Sequence, residues 1–424
     1  MKIRIKSLFL TLLVLICSFV SVQAVFASAN PVAGQNQLKI QANGVIAADA
    51  KTGQILYQKN IDQPMAIASV SKLMTIYITH QEINQGKLKW SSKVKITKDI
   101  AALSRESGVT NVNLVAGKSY SVQELTKAAL VGSANAAAMA LGNKIAQTPA
   151  KFAQLMNHTA KSIGLQKALF YNACGLTNKM VLGLGLKNVK SNAENLMTTQ
   201  DVAILTSKLL KDFPSITKIT SMPNTKFAGQ SVAGHNQLLG NQPLIAKGVV
   251  VDGLKTGTSD KAGACFVGTA EKQGKRIITV VLHASNKNAS DPARFVQTEK
   301  LMHYIFTEMV PKQINMGSSL NGVASASVPN GKRVTVPLVV SQNTWVWVNK
   351  SLSPQISGKF LTKTSKLSAP VFKGTHVGQA HVLVNSKSVS YLRTLTSEIS
   401  LKTKSTMPKA NIFVRVWRAI TSIF

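Results

Sequence analysis

Metal-binding patterns, phosphate-binding loops and cysteines are scarce in this chain. Its 424 residues include 3 cysteines and 7 histidines. The histidines form no H-E-x-x-H motif and no cluster with zinc-ligand spacing, and no glycine-rich phosphate loop occurs. These absences argue against a zinc enzyme and a nucleotide-binding enzyme, and we predict no metal site.

The low cysteine count also argues against a disulfide-rich scaffold. Cys174 and Cys265 are the cysteines outside the N-terminal apolar run, and the sequence leaves one bridge between them open. A chain of this size, with 45% hydrophobic and 16% charged residues, holds a large core without such a bridge. Its length suits two or three folded domains.

Acidic residues are few as well. The 16 aspartates and glutamates stand against 50 lysines and arginines, which gives a net charge of +34. Such an excess favours a polyanionic partner, which could be nucleic acid, anionic lipid or an acidic wall polymer.

The N-terminal sequence indicates which of these partners the protein can meet. Lys2, Arg4 and Lys6 precede an apolar run over residues 8–20, and small residues follow. This is the order of a secretory signal peptide, and the run is too short for a membrane span. We therefore predict that residues 1–29 are a signal peptide and that the mature protein is exported. Export excludes nucleic acid as the partner and leaves anionic lipid or wall polymers.

A serine and a lysine lie three residues apart at a predicted helix start. Two strands around a turn are predicted over residues 45–57, and the following helix begins near Ser69 and Lys72. Because positions i and i+3 share one helix face, the hydroxyl and the amine can meet over one site. Such a pair can make an activated nucleophile.

A second hydroxyl lies between two predicted helices. Ser121 and Glu124 have the spacing of a capping box, and the helix that they begin should end near Gly132. Ser133 and Asn135 follow at once, before an alanine-rich helix. We expect this tight connection to present a hydroxyl and an amide that can relay a proton and bind a substrate amide.

The third element is Lys255-Thr256-Gly257, within a run that predicts a strand. On an edge strand it would offer an ammonium and a hydroxyl to a carboxylate, and the glycine would let a substrate approach the backbone.

These elements occur in a diagnostic order. Ser133 follows Ser69 by 64 residues, and Lys255 follows Ser133 by 122. The order resembles the three-part signature of penicillin-recognising serine enzymes. The surrounding sequence, including residues 49–53, 252–257 and 260–263, resembles the low-molecular-mass penicillin-binding proteins, which are serine-type D-alanyl-D-alanine carboxypeptidases. The resemblance runs from about residue 38 to the C-terminus and is strongest before residue 305.

The resemblance implies a fold and a reaction. The fold would be α/β, with a β-lactamase/transpeptidase-like domain in which helices flank an antiparallel sheet. The substrate would be a peptidoglycan stem peptide ending in D-Ala-D-Ala, and β-lactam antibiotics would acylate the enzyme. No metal or organic cofactor would be needed.

The resemblance also implies residue roles. Ser69 would be the acylated nucleophile, Lys72 its proton acceptor and Ser133 the proton carrier to the leaving amine. Burial and a nearby Lys255 should lower the pKa of Lys72 toward the neutral form that a base requires. The binding residues would be Asn135 for the substrate amide, Lys255, Thr256 and Arg294 for the carboxylate, Gly257 for backbone approach, and the N–H groups of Ser69 and Thr258 for the oxyanion. A surface location for Arg294 is the alternative.

Two departures and three alternatives accompany this assignment. Relatives often have an acidic residue where this chain has Ala136, and often a histidine where it has Thr258. A class A β-lactamase needs a deacylating glutamate, but no acidic residue lies between Glu124 and Glu194, and Glu194 is not in a Glu-x-x-Leu-Asn pattern. A transpeptidase with the same motifs stays open. A non-catalytic, basic wall-binding protein would not need the complete motifs.

The C-terminal part changes character. We assign residues 30–308 to the catalytic domain and residues 312–402 to a small all-β domain, because short alternating runs replace helical patterns there. Residues 407–424 place apolar side chains on one helical face and arginines on the other, which favours an interfacial membrane anchor. Packing of this helix against the β domain is the alternative. The predicted location is the outer face of the cytoplasmic membrane, or the cell wall.

Overall fold

A computed structural model describes residues 38–288, 291–361, 366–393 and 398–421. The predicted signal peptide lies outside these ranges. The helices are α1 (Lys72–Asn84), α2 (Lys98–Ser104), α3 (Val122–Leu130), α4 (Asn135–Ala146), α5 (Pro149–Ser162), α6 (Thr199–Asp212), α7 (Thr217–Thr220), α8 (Gln242–Ile245), α9 (Ala293–Glu308) and α10 (Ile412–Thr421).

The strands of the N-terminal part include several short pairs. They are β1 (Ala42–Asp49), β2 (Ile55–Lys59), β3 (Met65–Ala66), β4 (Lys93–Lys95), β5 (Ser119–Ser121), β6 (Leu196–Met197), β7 (Asn224–Phe227), β8 (Gln230–Ala233), β9 (Val250–Ser259), β10 (Gly263–Lys272) and β11 (Lys275–Ala284). The C-terminal strands are β12 (Met309–Ile314), β13 (Ser325–Ser327), β14 (Thr335–Val340), β15 (Thr344–Asn349), β16 (Ile356–Phe360), β17 (His376–Val384), β18 (Lys387–Ser388) and β19 (Ile399–Thr403).

A five-stranded antiparallel sheet, in the order β2-β1-β11-β10-β9, forms the centre of the described N-terminal part. Both of its faces are buried, and alternate residues of one strand enter different cores. Val45 packs in the core that contains α9, whereas Ile46 packs in the core that contains α1. This period of two follows from the strand pleat. The predicted antiparallel sheet flanked by helices is confirmed, and the Lys-Thr-Gly strand β9 is an edge strand, as expected.

Helix α1 is central to the helical layer. A 3-10 turn over Ala68–Ser71 leads into it, and its residues from Lys72 to His80 are buried. A helix that is enclosed on every side is expected to be apolar around most of its circumference, and the sequence here agrees. Cys174 and Cys265 are both buried free thiols, so the bridge that the sequence left open is not formed.

The C-terminal part is all-β, as predicted. Strands β13, β14, β19, β17 and β16 pair in that order, with β18 on β17, and β12 pairs with β15. Met407 lies in the core of this domain, and the helix α10 that follows exposes Ile412, Phe413 and Trp417. The helix contacts the β domain through Arg418, which donates to the Gly331 carbonyl oxygen at 2.7 Å, but its apolar face does not pack there. Residues 423 and 424 of that predicted face lie outside the described residues.

One carboxylate joins the two domains. Asp49, at the end of β1, is fully buried. Its Oδ2 accepts hydrogen bonds from Nε1 of Trp345 at 2.8 Å and from Nε1 of Trp347 at 2.7 Å. Its Oδ1 accepts the backbone N–H groups of Lys51 at 3.0 Å and Thr52 at 2.7 Å. Four donors therefore satisfy this buried charge.

Candidate active site

The Ser69 hydroxyl lies at the base of a cleft, at the start of α1. Ala68, just before it, has a φ of 44°, which is uncommon for a residue with a side chain. Lys72 Nζ lies 2.7 Å from Ser69 Oγ. The 3-10 turn thus brings the predicted Ser-x-x-Lys pair into hydrogen-bond contact.

Lys72 is completely buried and is held by three oxygens. Beside Ser69, its Nζ contacts Asn135 Oδ1 at 2.8 Å and the Cys174 carbonyl oxygen at 3.0 Å. Burial lowers the pKa of Lys72 to about 8. The direction agrees with the sequence expectation, but the dominant cause is burial rather than Lys255. About a tenth of Lys72 is therefore neutral at pH 7, far more than for an exposed lysine.

Ser133 lies on the connection between α3 and α4. The predicted capping box begins α3, because Ser121 Oγ accepts the N–H of Glu124 while the Glu124 carboxylate accepts the N–H of Ser121. The chain then turns at Ser133 with a φ of 54°. This left-handed conformation directs Ser133 Oγ to Lys255 Nζ at 2.9 Å.

Lys255 is also buried, on the edge strand β9. Its Nζ contacts the Thr256 carbonyl oxygen at 3.0 Å as well as Ser133. Burial first, and then the positive charges of Lys72 and Arg294, lower the pKa of Lys255 well below its usual value. Two amines and two hydroxyls are thus paired as Lys72 with Ser69 and Lys255 with Ser133.

The edge strand passes very close to the turn that carries Ser69. A Cβ added at Gly257 would lie 2.6 Å from the Ile67 carbonyl oxygen and 3.2 Å from the Val70 nitrogen. Only glycine fits this approach without displacement of backbone. The contact brings Thr258 to the mouth of the cleft beside Ser69.

Arg294 supplies a cation behind this strand. It begins α9 and is only 7% exposed, so the surface alternative is wrong. Its Nη1 donates to the Gly257 carbonyl oxygen at 2.8 Å. Burial lowers the pKa of Arg294, but a guanidinium still keeps its proton at neutral pH.

These groups surround one cleft of about 180 Å³. The sequence-predicted residues on its wall are Ser69, Ser133, Thr256, Gly257, Thr258 and Arg294. Lys72, Asn135 and Lys255 are buried behind the wall. All nine predicted site residues are thereby brought to one place.

The family pattern described as D-alanyl-D-alanine carboxypeptidase, peptidase S11, matches residues 30–286. That match covers more than half of the chain. The chain belongs to the D-alanyl-D-alanine carboxypeptidase family. The pattern of the C-terminal domain of penicillin-binding protein 5 matches residues 315–409.

A curated carboxypeptidase and two solved structures are similar to this chain over more than half of its length. The carboxypeptidase DacF of Bacillus subtilis is 27% identical over 343 residues, which cover 81% of this chain and 82% of DacF. A peptidoglycan synthesis regulatory factor, PBP3 of Streptococcus pneumoniae, is 33% identical with a TM-score of 0.72, over 87% of this chain and 100% of that structure. Penicillin-binding protein D2 of Listeria monocytogenes, in its cefotaxime-bound form, is 33% identical with a TM-score of 0.54, over 64% of this chain and 99% of that structure.

The cleft of this family member also contains residues that the sequence reasoning missed. Thr110, His235, Gln237, Asp291 and Phe295 complete its wall. The segment that carries His235 contains no motif, and a lone histidine after a glycine gives no pattern that could have identified it. Burial and the charge of Lys255 lower the pKa of His235, which indicates how close this imidazole is to the buried amines.

A second missed feature is the buried dipeptide Glu194-Asn195. The Asn195 carbonyl accepts the Ile67 N–H at 3.2 Å, and its side-chain oxygen accepts the Tyr171 N–H at 2.7 Å. Glu194 Oε2 accepts the Ser259 hydroxyl at 2.6 Å. The dipeptide thereby joins the segment before Ser69, the loop that leads to Cys174, and the end of β9 after Thr258.

Across the described residues, no three histidine, cysteine, aspartate or glutamate side chains form a metal-binding group. The described helices also include none that is long and apolar enough to cross a membrane.

Proposed function

We propose that this protein is a serine-type D-Ala-D-Ala carboxypeptidase that removes the terminal D-alanine from peptidoglycan stem pentapeptides through a Ser69 acyl-enzyme. The observation that carries the proposal is the 2.7 Å contact between Ser69 Oγ and a completely buried Lys72 whose pKa is lowered to about 8. A neutral lysine in that position can take the serine proton. The carboxypeptidases that the chain is similar to support the substrate class.

Acylation uses the two hydroxyl–amine pairs in turn. Ser69 Oγ forms a bond to the carbonyl carbon of the penultimate D-alanine, and its proton moves to Lys72 Nζ. The bond between that carbon and the nitrogen of the last D-alanine breaks, Ser133 gives the leaving nitrogen a proton, and the proton held by Lys72 replaces it on Ser133, so that Lys72 is neutral again. Lys255 Nζ, 2.9 Å away, holds the Ser133 hydroxyl for this step. A water molecule then gives a proton to Lys72 as its oxygen attacks the ester carbon. The bond to Ser69 Oγ breaks, and the proton passes from Lys72 to Ser69 Oγ.

The cations and the backbone N–H groups bind the substrate ends. Lys255, Thr256 and Arg294 receive the terminal carboxylate, and this negative charge favours the charged form of Lys255 that burial disfavours. The N–H groups of Ser69 and Thr258 stabilise the oxyanion as charge develops. Asn135 orients Lys72 through its side-chain oxygen. One N–H of its amide donates to the Thr110 carbonyl oxygen at 2.9 Å, and the other N–H binds the substrate amide.

The same geometry supports acylation by β-lactams. Their cyclic amide imitates the scissile bond, and their carboxylate fits the Lys255 side of the cleft. The related D2 protein was crystallised in a cefotaxime-bound form. Glu194 does not stand in for the deacylating glutamate of β-lactamases, because it is buried and accepts the Ser259 hydroxyl. We therefore expect slow release of the β-lactam adduct.

Mass analysis of a pentapeptide ending in D-Ala-D-Ala tests the reaction. We expect a tetrapeptide and free D-alanine from the wild type, and no product from Ser69→Ala. Addition of an acceptor amine distinguishes a transpeptidase, which would give an amide product instead. Intact pentapeptide after long incubation with the wild type would overturn the proposal.

We also propose the location and the domain limits. Residues 1–29 are removed as a signal peptide, residues 30–308 catalyse, residues 312–402 form the β domain, and the segment 407–424 attaches the enzyme to the outer face of the cytoplasmic membrane. Support comes from the exposed apolar face of α10 and from the basic charge. Anionic wall polymers are a second partner that this charge favours.

A further inference from the structure

One end of the β domain and helix α10 form a continuous block. Arg418 Nη1 donates to the Gly331 carbonyl oxygen at 2.7 Å, which holds α10 on the turn before β14. The Lys332 N–H donates to the Pro408 carbonyl oxygen at 2.7 Å. Val371 and Met407 exchange backbone hydrogen bonds of 2.9 and 2.7 Å. The loops 329–334, 371–374 and 404–410 are therefore tied to one another and to the helix.

This end exposes an aromatic ring among cations. Phe372 is 66% exposed, in a loop tip where no core contact requires an aromatic residue. The exposed basic residues of the three loops are Lys332, Arg333, Lys373, Lys404 and Lys409. We call Phe372 and these five residues the basal surface.

The sequence leaves the basal surface without neutralising charge from its own domain. After Glu308, the only acidic residue in the chain is Glu398. It precedes β19, whereas Lys404 follows the other end of that strand. A strand of this length separates its ends by about 15 Å, which exceeds the distance over which exposed charges interact strongly in salt.

We propose that the basal surface is a second membrane contact, which binds the headgroups of an anionic bilayer beside α10. The inference rests on the proposed membrane attachment and adds a surface to it. Cations near an anionic leaflet attract its headgroups, and aromatic rings favour the interface between headgroups and acyl chains. An acidic wall polymer would use the lysines but has no hydrocarbon layer to receive Phe372.

Two membrane contacts on one continuous block restrain its orientation more than a single helix does. A single amphipathic helix fixes its own depth and the direction of its apolar face, but leaves the tilt of the attached domain along the helix axis less restrained. Loops that touch the same bilayer at a second place restrict this tilt. The orientation of the β domain, and through Asp49 that of the catalytic sheet, is then set relative to the membrane.

Vesicle co-sedimentation tests the proposal with matched controls. The exported chain, residues 30–424, is mixed with vesicles of phosphatidylglycerol and phosphatidylcholine, and its partition coefficient is compared among variants. The test variants are Phe372→Ser and the pair Arg333→Gln with Lys373→Gln. The controls are Met316→Ser, at the opposite end of β14 and 58% exposed, and the pair Lys359→Gln with Lys387→Gln, which removes the same charge elsewhere on the domain.

The loop variants should bind the vesicles at least about tenfold more weakly than the wild type. For the charge pair the reason is that each cation near an anionic surface contributes about fivefold to the partition coefficient. The controls should stay within about twofold of the wild type. All variants should keep their peptidase activity. Equal weakening by the test pair and the control pair would show that total charge drives binding, and would overturn the proposal.

The fluorescence of Trp417 distinguishes a failure of the basal surface from a failure of the helix anchor. Its ring is exposed on α10, so brominated lipids should quench its fluorescence when the helix inserts. If the loop variants keep the affinity of the wild type and Trp417 is still quenched, the basal surface is not a membrane contact and the helix is the anchor. If binding depends on the loops but Trp417 is not quenched, the helix does not insert and is not the anchor. A wild type that does not bind vesicles contradicts both.

Discussion

Lysine is used in opposite ways in the cleft and at the basal surface. Lys72 and Lys255 are buried, each within hydrogen-bond distance of a hydroxyl, and burial is the main cause that lowers their pKa values. Lys332 and Lys373 are exposed on loops of the β domain. The comparison teaches that burial, rather than residue type, prepares a lysine for the proposed role of a base.

The largest expected effect lies at the nucleophile. Ser69→Ala should lose labelling by a fluorescent penicillin, and its peptidase rate should fall by at least about 10³-fold, because no other hydroxyl lies beside Lys72 Nζ among the described contacts. Gel fluorescence measures the labelling. A control, Ser71→Ala, removes the neighbouring buried hydroxyl, which only bonds to the Ala68 carbonyl oxygen. Label that persists on Ser69→Ala would show a different nucleophile.

Substitution of the buried base should come next. Lys72→Arg keeps a charge but cannot accept a proton at neutral pH, so acylation should slow by about 10² to 10⁴-fold. In the wild type the neutral lysine is active, so kcat/KM should rise with pH through about 8. Stopped-flow acylation and a pH profile measure both. A profile that is flat across that range would contradict a basic role for Lys72.

Lys255 lies between the two uses of lysine, because it is buried and is also proposed to bind the substrate carboxylate. Lys255→Ala should lower the cleavage of a free-acid substrate by about 10- to 100-fold, the value of a hydrogen bond to a charged group. An amidated substrate should be cleaved poorly by the wild type and lose much less in the variant. Steady-state kinetics on both substrates decide. Equal losses would assign Lys255 to the tuning of Lys72 or Ser133 rather than to the carboxylate.

The Glu194 contact should have a smaller effect. Ser259→Ala removes the hydroxyl that Glu194 accepts and loosens the end of β9 after Thr258, so acylation should slow by about 3- to 10-fold. Ser259→Thr keeps the hydroxyl and should restore the rate. Acylation rates and melting temperatures are measured together. Slower acylation in a variant with an unchanged melting temperature indicates lost positioning rather than lost stability. A threonine variant as slow as the alanine variant would contradict the assignment.

The smallest expected effect on catalysis is from loss of the helix. Deletion of residues 411–424, which spares the buried Met407, should leave small-peptide cleavage unchanged and release the protein from membranes. Phe413, Trp417 and Ile420 could each contribute ~1.5–3 kcal/mol when fully buried, against ~1 kcal/mol for each arginine. High salt should therefore release the intact protein only partly, as fractionation can measure. Complete release in high salt would indicate that the basic surface, rather than the helix, holds the protein on the membrane.

Local patterns made much of this structure predictable. The capping box at Ser121, the helix start near Ser69 and Lys72, and the strand that carries Lys-Thr-Gly each follow from a short stretch of sequence. The contact of Glu194 with Ser259 and the position of His235 in the cleft depend on residues far apart in the chain. No local periodicity encodes such pairs, because the fold decides which surfaces meet. The exposure of the apolar face of α10 likewise required the structure.

Asp49 has a consequence for how the molecule folds. Its carboxylate belongs to the central sheet, yet two of its four donors come from the β domain. Separation of the domains would break these two hydrogen bonds, and a hydrogen bond to a charged group contributes about 1.5–3 kcal/mol. We therefore expect the sheet and the β domain to unfold together, so that the β domain stabilises the fold of the part that carries the cleft.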